Sequence, residues 1–217
     1  GLRRRFVRKF DHRLAGRTEA TISVEVKPTA ATLTRDNFLW NVGGTSTSTS
    51  GTGSWFVAPR DRIRTAITRT NWRGEQSIGW DRTLTADTWQ NVTATIKKNP
   101  NGSSTLRLFV DGTQRALREN STVGLADLTD HTNTVLGGAA YADSLGFAGE
   151  FAEARVYGRA LEASEILEIS QADAASTSNA VLAGLNLGDT TAVTEDITLP
   201  STATWSSSDP AVIPSTG

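Results

Sequence analysis

In the stretch TISVEVK, residues 21–27, Ile22, Val24 and Val26 fall on one face and Thr21, Ser23 and Glu25 on the other. That two-residue period predicts a half-buried strand, and Pro28 closes it. The same kind of segment recurs at 37–42, 54–58, 63–69, 76–80, 89–97, 105–110, 113–117, 133–136 and 151–157. In the last of these, Phe151, Glu153, Arg155 and Tyr157 are expected on one face, and Ala152, Ala154 and Val156 on the other. Asn99-Pro-Asn-Gly102 and Asp111-Gly112 carry the residues of tight hairpin turns. After Gly158 the period lengthens. Leu161, Ile166 and Ile169 take helical spacing with Glu162, Glu165 and Glu168 between them, predicting an acidic helix over 162–174. A second, shorter helix is expected over 179–185. Many short strands punctuated by Gly, Asn and Asp, without regular strand–helix alternation, point to an all-β sandwich or jelly roll.

Composition agrees with a globular β domain: 37% of the 217 residues are hydrophobic, and Thr, Val and Ile are frequent. No apolar run approaches the ~20 residues of a membrane-spanning helix. No signal-peptide pattern is present, and the chain begins at Gly1, so it reads as a piece of a longer protein. Cysteine is absent, which excludes disulfides and thiolate metal sites. His12 and His131 alone supply imidazole, too few for a multi-histidine zinc or iron centre. The net charge of −1 hides an asymmetry. Arg3, Arg4, Arg5, Arg8, Lys9, Arg13 and Arg17 crowd the start, whereas no Lys or Arg follows Arg159. The basic arm reads as a solvated terminus or a nucleic-acid contact. No aromatic stacking motif accompanies the arginines and no apolar run is long enough to span a membrane, so neither a nucleic-acid partner nor membrane insertion is expected.

Several segments carry a family resemblance. FAGEFAEARVYGRALEASEI, residues 147–166, resembles the closing strand and helix of laminin-G-like jelly rolls, of the concanavalin A-like lectin and glucanase type. ATISVEVKP (20–28), DTWQNVTATI (87–96), LRLFVDG (106–112) and TVLGGAAYADSLG (134–146) resemble other conserved pieces of that domain. Glu25 stands where the family carries Trp, Asn91 where His is common, and the family's Asp-rich opening segment is not recognisable. Further on, LGDTTAVTEDITLP and TWSSSDPAVI resemble the start of an atypical bacterial immunoglobulin-like domain. The expected organisation is therefore a basic arm (1–17), a concanavalin A-like jelly roll (18–172), a linker or short helix (173–185) and a truncated Ig-like segment (186–217). This pairing resembles accessory regions of secreted actinobacterial glycoside hydrolases of the family 43 and arabinofuranosidase type. It implies a secreted or cell-surface, bacterial, non-catalytic module that binds glycan beside a catalytic domain of the same parent chain. A cell-surface adhesion, protein-interaction or spacer module is the alternative, and a glycosidase domain a third reading.

Candidate chemistry divides along those readings. Hydrolysis of a glycosidic bond needs two carboxylates about 5 to 9 Å apart. Glu150 and Glu153 are expected on opposite faces, and Glu25 stands alone. Sugar binding uses flat aromatic faces with polar neighbours. Trp40 and Trp89 fit core positions, whereas Trp55, Trp72, Trp80 and Tyr141 with Asp143 sit at loop borders and are the carbohydrate-binding candidates. By resemblance, Glu153 takes the acidic position that helps hold Ca²⁺ in such jelly rolls, an ion suited by hard oxygen ligands. Asn91-Val-Thr93, Asn101-Gly-Ser103 and Asn120-Ser-Thr122 are glycosylation triplets on paper.

Overall fold

The computed structural model describes residues 14, 16–35, 37–43, 53–70, 73–128, 134–139 and 146–183, with 179–183 as backbone only. The described residues form two antiparallel five-stranded sheets. The strands are β1 (Glu19–Pro28), β2 (Trp40–Gly43), β3 (Ser54–Ala58), β4 (Arg64–Thr68), β5 (Gln76–Gly79), β6 (Gln90–Lys98), β7 (Ser104–Val110), β8 (Thr113–Ser121), β9 (Val135–Leu136) and β10 (Gly149–Tyr157). One sheet runs β10-β1-β6-β7-β8 and the other β5-β4-β3-β2-β9. A short helix α1 (Ala30–Leu33) follows β1, and a long helix α2 (Ala163–Ala183) follows β10. Residues through Ser178 form one compact unit; Asn179–Gly217 form a second, and the expected Ig-like segment lies outside the described residues.

The core between the sheets is built from the alternation. Ile22, Val24, Val26, Val92, Ala94, Ile96, Leu106, Leu108 and Val110 face Val42, Trp55, Val57 and Ile67 in one buried cluster. Trp40 and Trp55 meet edge to face, with ring centres 4.7 Å apart. The hairpin joining β7 and β8 turns on Asp111 and Gly112, both at positive φ (51° and 71°). That is the backbone a two-residue turn needs to match strand twist.

β10 departs from simple alternation. Its register against β1 shifts between Glu25 and Val26, so Glu25 lies opposite Glu153 but Val26 lies opposite Phe151. Ala152 is the extra residue of this bulge. Phe151 is thereby carried to the core face, where it packs on Phe147 at 4.8 Å, rather than sharing a face with Glu153 and Arg155.

The outer face of the first sheet is covered as well. α2 lies on it, and Phe109, Leu161 and Ile166 form a small buried cluster there with Tyr157 and Ile169 alongside. The helix runs unbroken through the expected boundary at residue 173, because Asp173 is anchored to the sheet (1% exposed). Glu165 accepts the backbone N–H of Glu162 and pairs with Arg159, half of a capping box at the helix start.

Candidate functional site

The aromatic candidates part company. Trp55 is fully buried (0% exposed), and its indole N–H donates to Thr65 Oγ1 at 3.1 Å. A ring without exposed surface offers no face to a sugar, so Trp55 is a core residue. It follows a loop in sequence, but strand β3 pairs on both edges and turns it inward. Trp89, expected in the core, is instead half-buried just ahead of β6, with Lys27 Nζ 5.9 Å from its ring. Trp72, Tyr141 and Asp143 lie outside the described residues.

Trp80 is the candidate left on the described surface. Its backbone N–H bonds Ile63 O at 3.0 Å, which holds it at the end of β5, half-buried against the core. β5 and β8 are each one of the two edge strands of their sheets, and they run side by side along one flank of the sandwich. Arg118, opposite Leu106 and so on the inward face of β8, donates across the seam to Gln76 Oε1 at 2.7 Å. Arg115 sits where the β8 register slips, and its guanidinium lies 4.4 Å from the Trp80 ring centre. Arg82 approaches the same ring at 5.9 Å. Next to this group opens a groove of about 620 Å³, lined by Ile78, Asn101, Leu117, Arg118, Glu119 and Asn120. Its size is that of a small-ligand cleft. Two amides, a guanidinium and a carboxylate beside an exposed Leu117 supply hydrogen bonds and an apolar wall.

Sequence reasoning named Trp80 as a candidate but not its neighbours Gln76, Arg82, Arg115 and Arg118. It ended the strand beginning at Thr113 at residue 117, whereas β8 extends to Ser121. Asn101 and Asn120, noted only as glycosylation triplets, line the groove, and Asn91 is buried (1% exposed).

The carboxylates gather elsewhere. Glu25 and Glu153 face each other across neighbouring strands on the outer face of the first sheet. Asp173 comes down on them from α2. Arg155 Nη1 donates to both Asp173 oxygens (2.7 and 2.9 Å), and Asn91 Nδ2 donates to Asp173 Oδ2 (2.8 Å) and Ser23 Oγ (3.2 Å). Thr93 Oγ1 closes the network by donating to Ser23 Oγ at 2.8 Å. Glu25 is 2% exposed, and its Oε2 has no partner. Burial, then repulsion from Asp173 and Asp111, pushes its carboxyl up to about 7, against the opposing pull of Arg155 and the Asn91 hydrogen bond. Two opposed carboxylates resemble a hydrolytic pair, but Glu25 lies beneath α2 with no surface for a substrate to reach.

Glu153 is half-exposed (48%) and lies 3.8 Å from Arg155. Among the described residues no three potential ligands come together as a metal site. Beside Glu153 the described residues place the Arg155 guanidinium, itself a cation. No described helix is long and apolar enough to cross a membrane.

Residues 7–167 match the concanavalin A-like lectin/glucanases superfamily. No curated protein matches the chain. Among solved structures it is similar to the CBM40 module of the Ruminococcus gnavus IT-sialidase bound to α2,3-sialyllactose. That likeness has a TM-score of 0.58 at 16% identity and covers 76% of this chain and 92% of that one. It is similar to the leech intramolecular trans-sialidase complexed with 2,7-anhydro-Neu5Ac, with a TM-score of 0.56 at 18% identity, over 76% of this chain and 26% of that one. It is also similar to the SAP-like pentraxin of Limulus polyphemus, with a TM-score of 0.51 at 12% identity, over 71% of this chain and 70% of that one. At these identities the likeness is one of fold.

Proposed function

The chain belongs to the concanavalin A-like lectin/glucanase superfamily, and from that premise we propose that it is a non-catalytic carbohydrate-binding module. Its role is to hold a secreted, polysaccharide-degrading glycoside hydrolase on arabinan- or xylan-type substrate. The observation that carries this reading is the β5–β8 seam: an open groove lined by Arg118, Asn101 and Asn120 lies beside Trp80 and the two arginines, Arg82 and Arg115, that flank its ring. Fixed amides and guanidinium groups match sugar hydroxyls, and edge strands hold them without a loop rearrangement. The similar CBM40 module is named as bound to sialyllactose, which supports a glycan ligand in this fold. Catalysis is not needed for such a part. Tethering raises the effective concentration of enzyme at an insoluble substrate.

Affinity gel electrophoresis against arabinan, arabinoxylan, xylan, levan and mucin glycans tests it. The expected result is retardation by one polysaccharide, lost in Trp80→Ala. A folded protein that no glycan retards overturns the reading. Retardation unchanged by Trp80→Ala moves the site away from the seam.

A further inference from the structure

We propose that the seam between β5 and β8 binds a sugar carrying a carboxylate, with Arg115 and Arg118 as its anchors. The proposal rests on the glycan-binding reading above and adds the ligand class.

Three guanidinium groups converge here, and among the described residues none of them pairs with a carboxylate. Elsewhere the protein supplies such partners: Arg64 with Glu75, Arg69 with Asp127, Arg155 with Asp173 and Arg159 with Glu165. At the seam the partners are a ring and an amide. Arg118 reaches Gln76, and Arg115 and Arg82 attend Trp80. The Nε atoms of both Arg115 and Arg118 are buried with no acceptor. A buried donor without an acceptor, on a half-exposed cation, is an uncompensated cost in the free protein.

Chemistry selects what relieves it. A neutral sugar brings hydroxyls but no countercharge. A carboxylate accepts paired N–H bonds from a guanidinium in a fork geometry that a hydroxyl does not reproduce. Trp80 backs Arg115 and limits its rotamers, so less freedom is lost on binding. The Asn120 amide and the Asn101 Nδ2, whose Oδ1 accepts from Ser103, are placed for the ring hydroxyls, and Leu117 for an apolar sugar face. Glu119 is the one carboxylate lining the groove and gives the ligand a direction, acid end toward Arg118.

Titration calorimetry on the whole chain tests this with an acidic oligosaccharide of glucuronoxylan, the same oligosaccharide after reduction of its carboxyls, and 3′-sialyllactose. The acidic oligosaccharide is expected to bind, and carboxyl reduction to weaken it at least about ten-fold, the loss of one charge-assisted contact. R115Q and R118Q are expected to weaken the acidic ligand by a similar factor and the reduced one by less. R115K, which keeps charge but not the fork, is expected to fall between and serves if R115Q does not fold. Tighter binding of sialyllactose than of the uronate, with the same arginine dependence, assigns the carboxylate to a nonulosonic rather than a uronic acid. Equal affinity for the acidic and reduced forms overturns the carboxylate proposal while glycan binding stands. Acid binding unaffected by both arginine variants overturns the site. Failure of these and of the neutral arabinan and xylan panel overturns both readings together.

Discussion

Replacing Glu25 by glutamine separates burial from ionisation at the carboxyl that burial pushes upward. Glu25 is 2% exposed on the outer face of the first sheet, opposite Glu153 and beneath Asp173, and one of its oxygens has no partner. Its carboxyl is raised from 4.5 to about 7. The native state therefore holds a proton more tightly than the unfolded chain does. Between those two values the folded form binds more protons, so stability falls as pH rises and then levels off above about 7. At about 1.4 kcal/mol per pH unit the whole displacement corresponds to about 3 kcal/mol. The neutral amide of Glu25→Gln would mimic the protonated acid at every pH. The variant should match wild type near pH 4, below the unfolded value, and be more stable by up to about 3 kcal/mol near pH 8. Urea unfolding of both proteins across this range measures it. The difference between them, taken at each pH, cancels the titration of every group that the substitution leaves alone. A difference that stays constant with pH, or a variant less stable than wild type at the alkaline end, refutes the reasoning.

Asp173→Asn removes the charge that holds Arg155 and repels Glu25. It should cost about 3 kcal/mol in urea unfolding, as removal of one partner of a buried pair does, while shrinking the pH dependence described above. Gly112→Ala places a Cβ 3.0 Å from the Leu167 Cα and 2.8 Å from its Cδ1 at a φ of +71°. Loss of more than about 1 kcal/mol is expected, with hydrogen exchange quickening in α2 first; unchanged protection there would mean that the hairpin tip does not brace the helix. Trp55→Ala opens a void between the sheets and should cost about 3 to 5 kcal/mol without altering glycan affinity in the protein that remains folded. A selective loss of glycan binding at full stability would put Trp55 back in the site.

Much of the fold was written locally. The alternation in residues 21–27 predicted which side chains of β1 would enter the core, and Asp111-Gly112 predicted its hairpin, because a two-residue period and a turn conformation are decided by neighbours in sequence. The same alternation marked Thr21, Ser23 and Glu25 as the other face, but not what would lie over it. That was decided by α2, some 150 positions further along the chain, which converts a polar strand face into a buried network and moves the acidity of Glu25. The bulge at Ala152 belongs to the same class of fact, since register exists between two strands and not within one. Among the candidate site residues, Trp55 and Trp80 looked alike at loop borders. Only the pairing of β3 on both edges, against the position of β5 at a sheet edge, sends one ring inward and leaves the other at the surface. Sequence by itself determined the all-β character, the strands, the turns and the core-facing residues of β1. The seam that gathers Arg115, Arg118, Trp80 and Asn101 was decided by tertiary structure alone, because it forms only where the edges of two separate sheets come together.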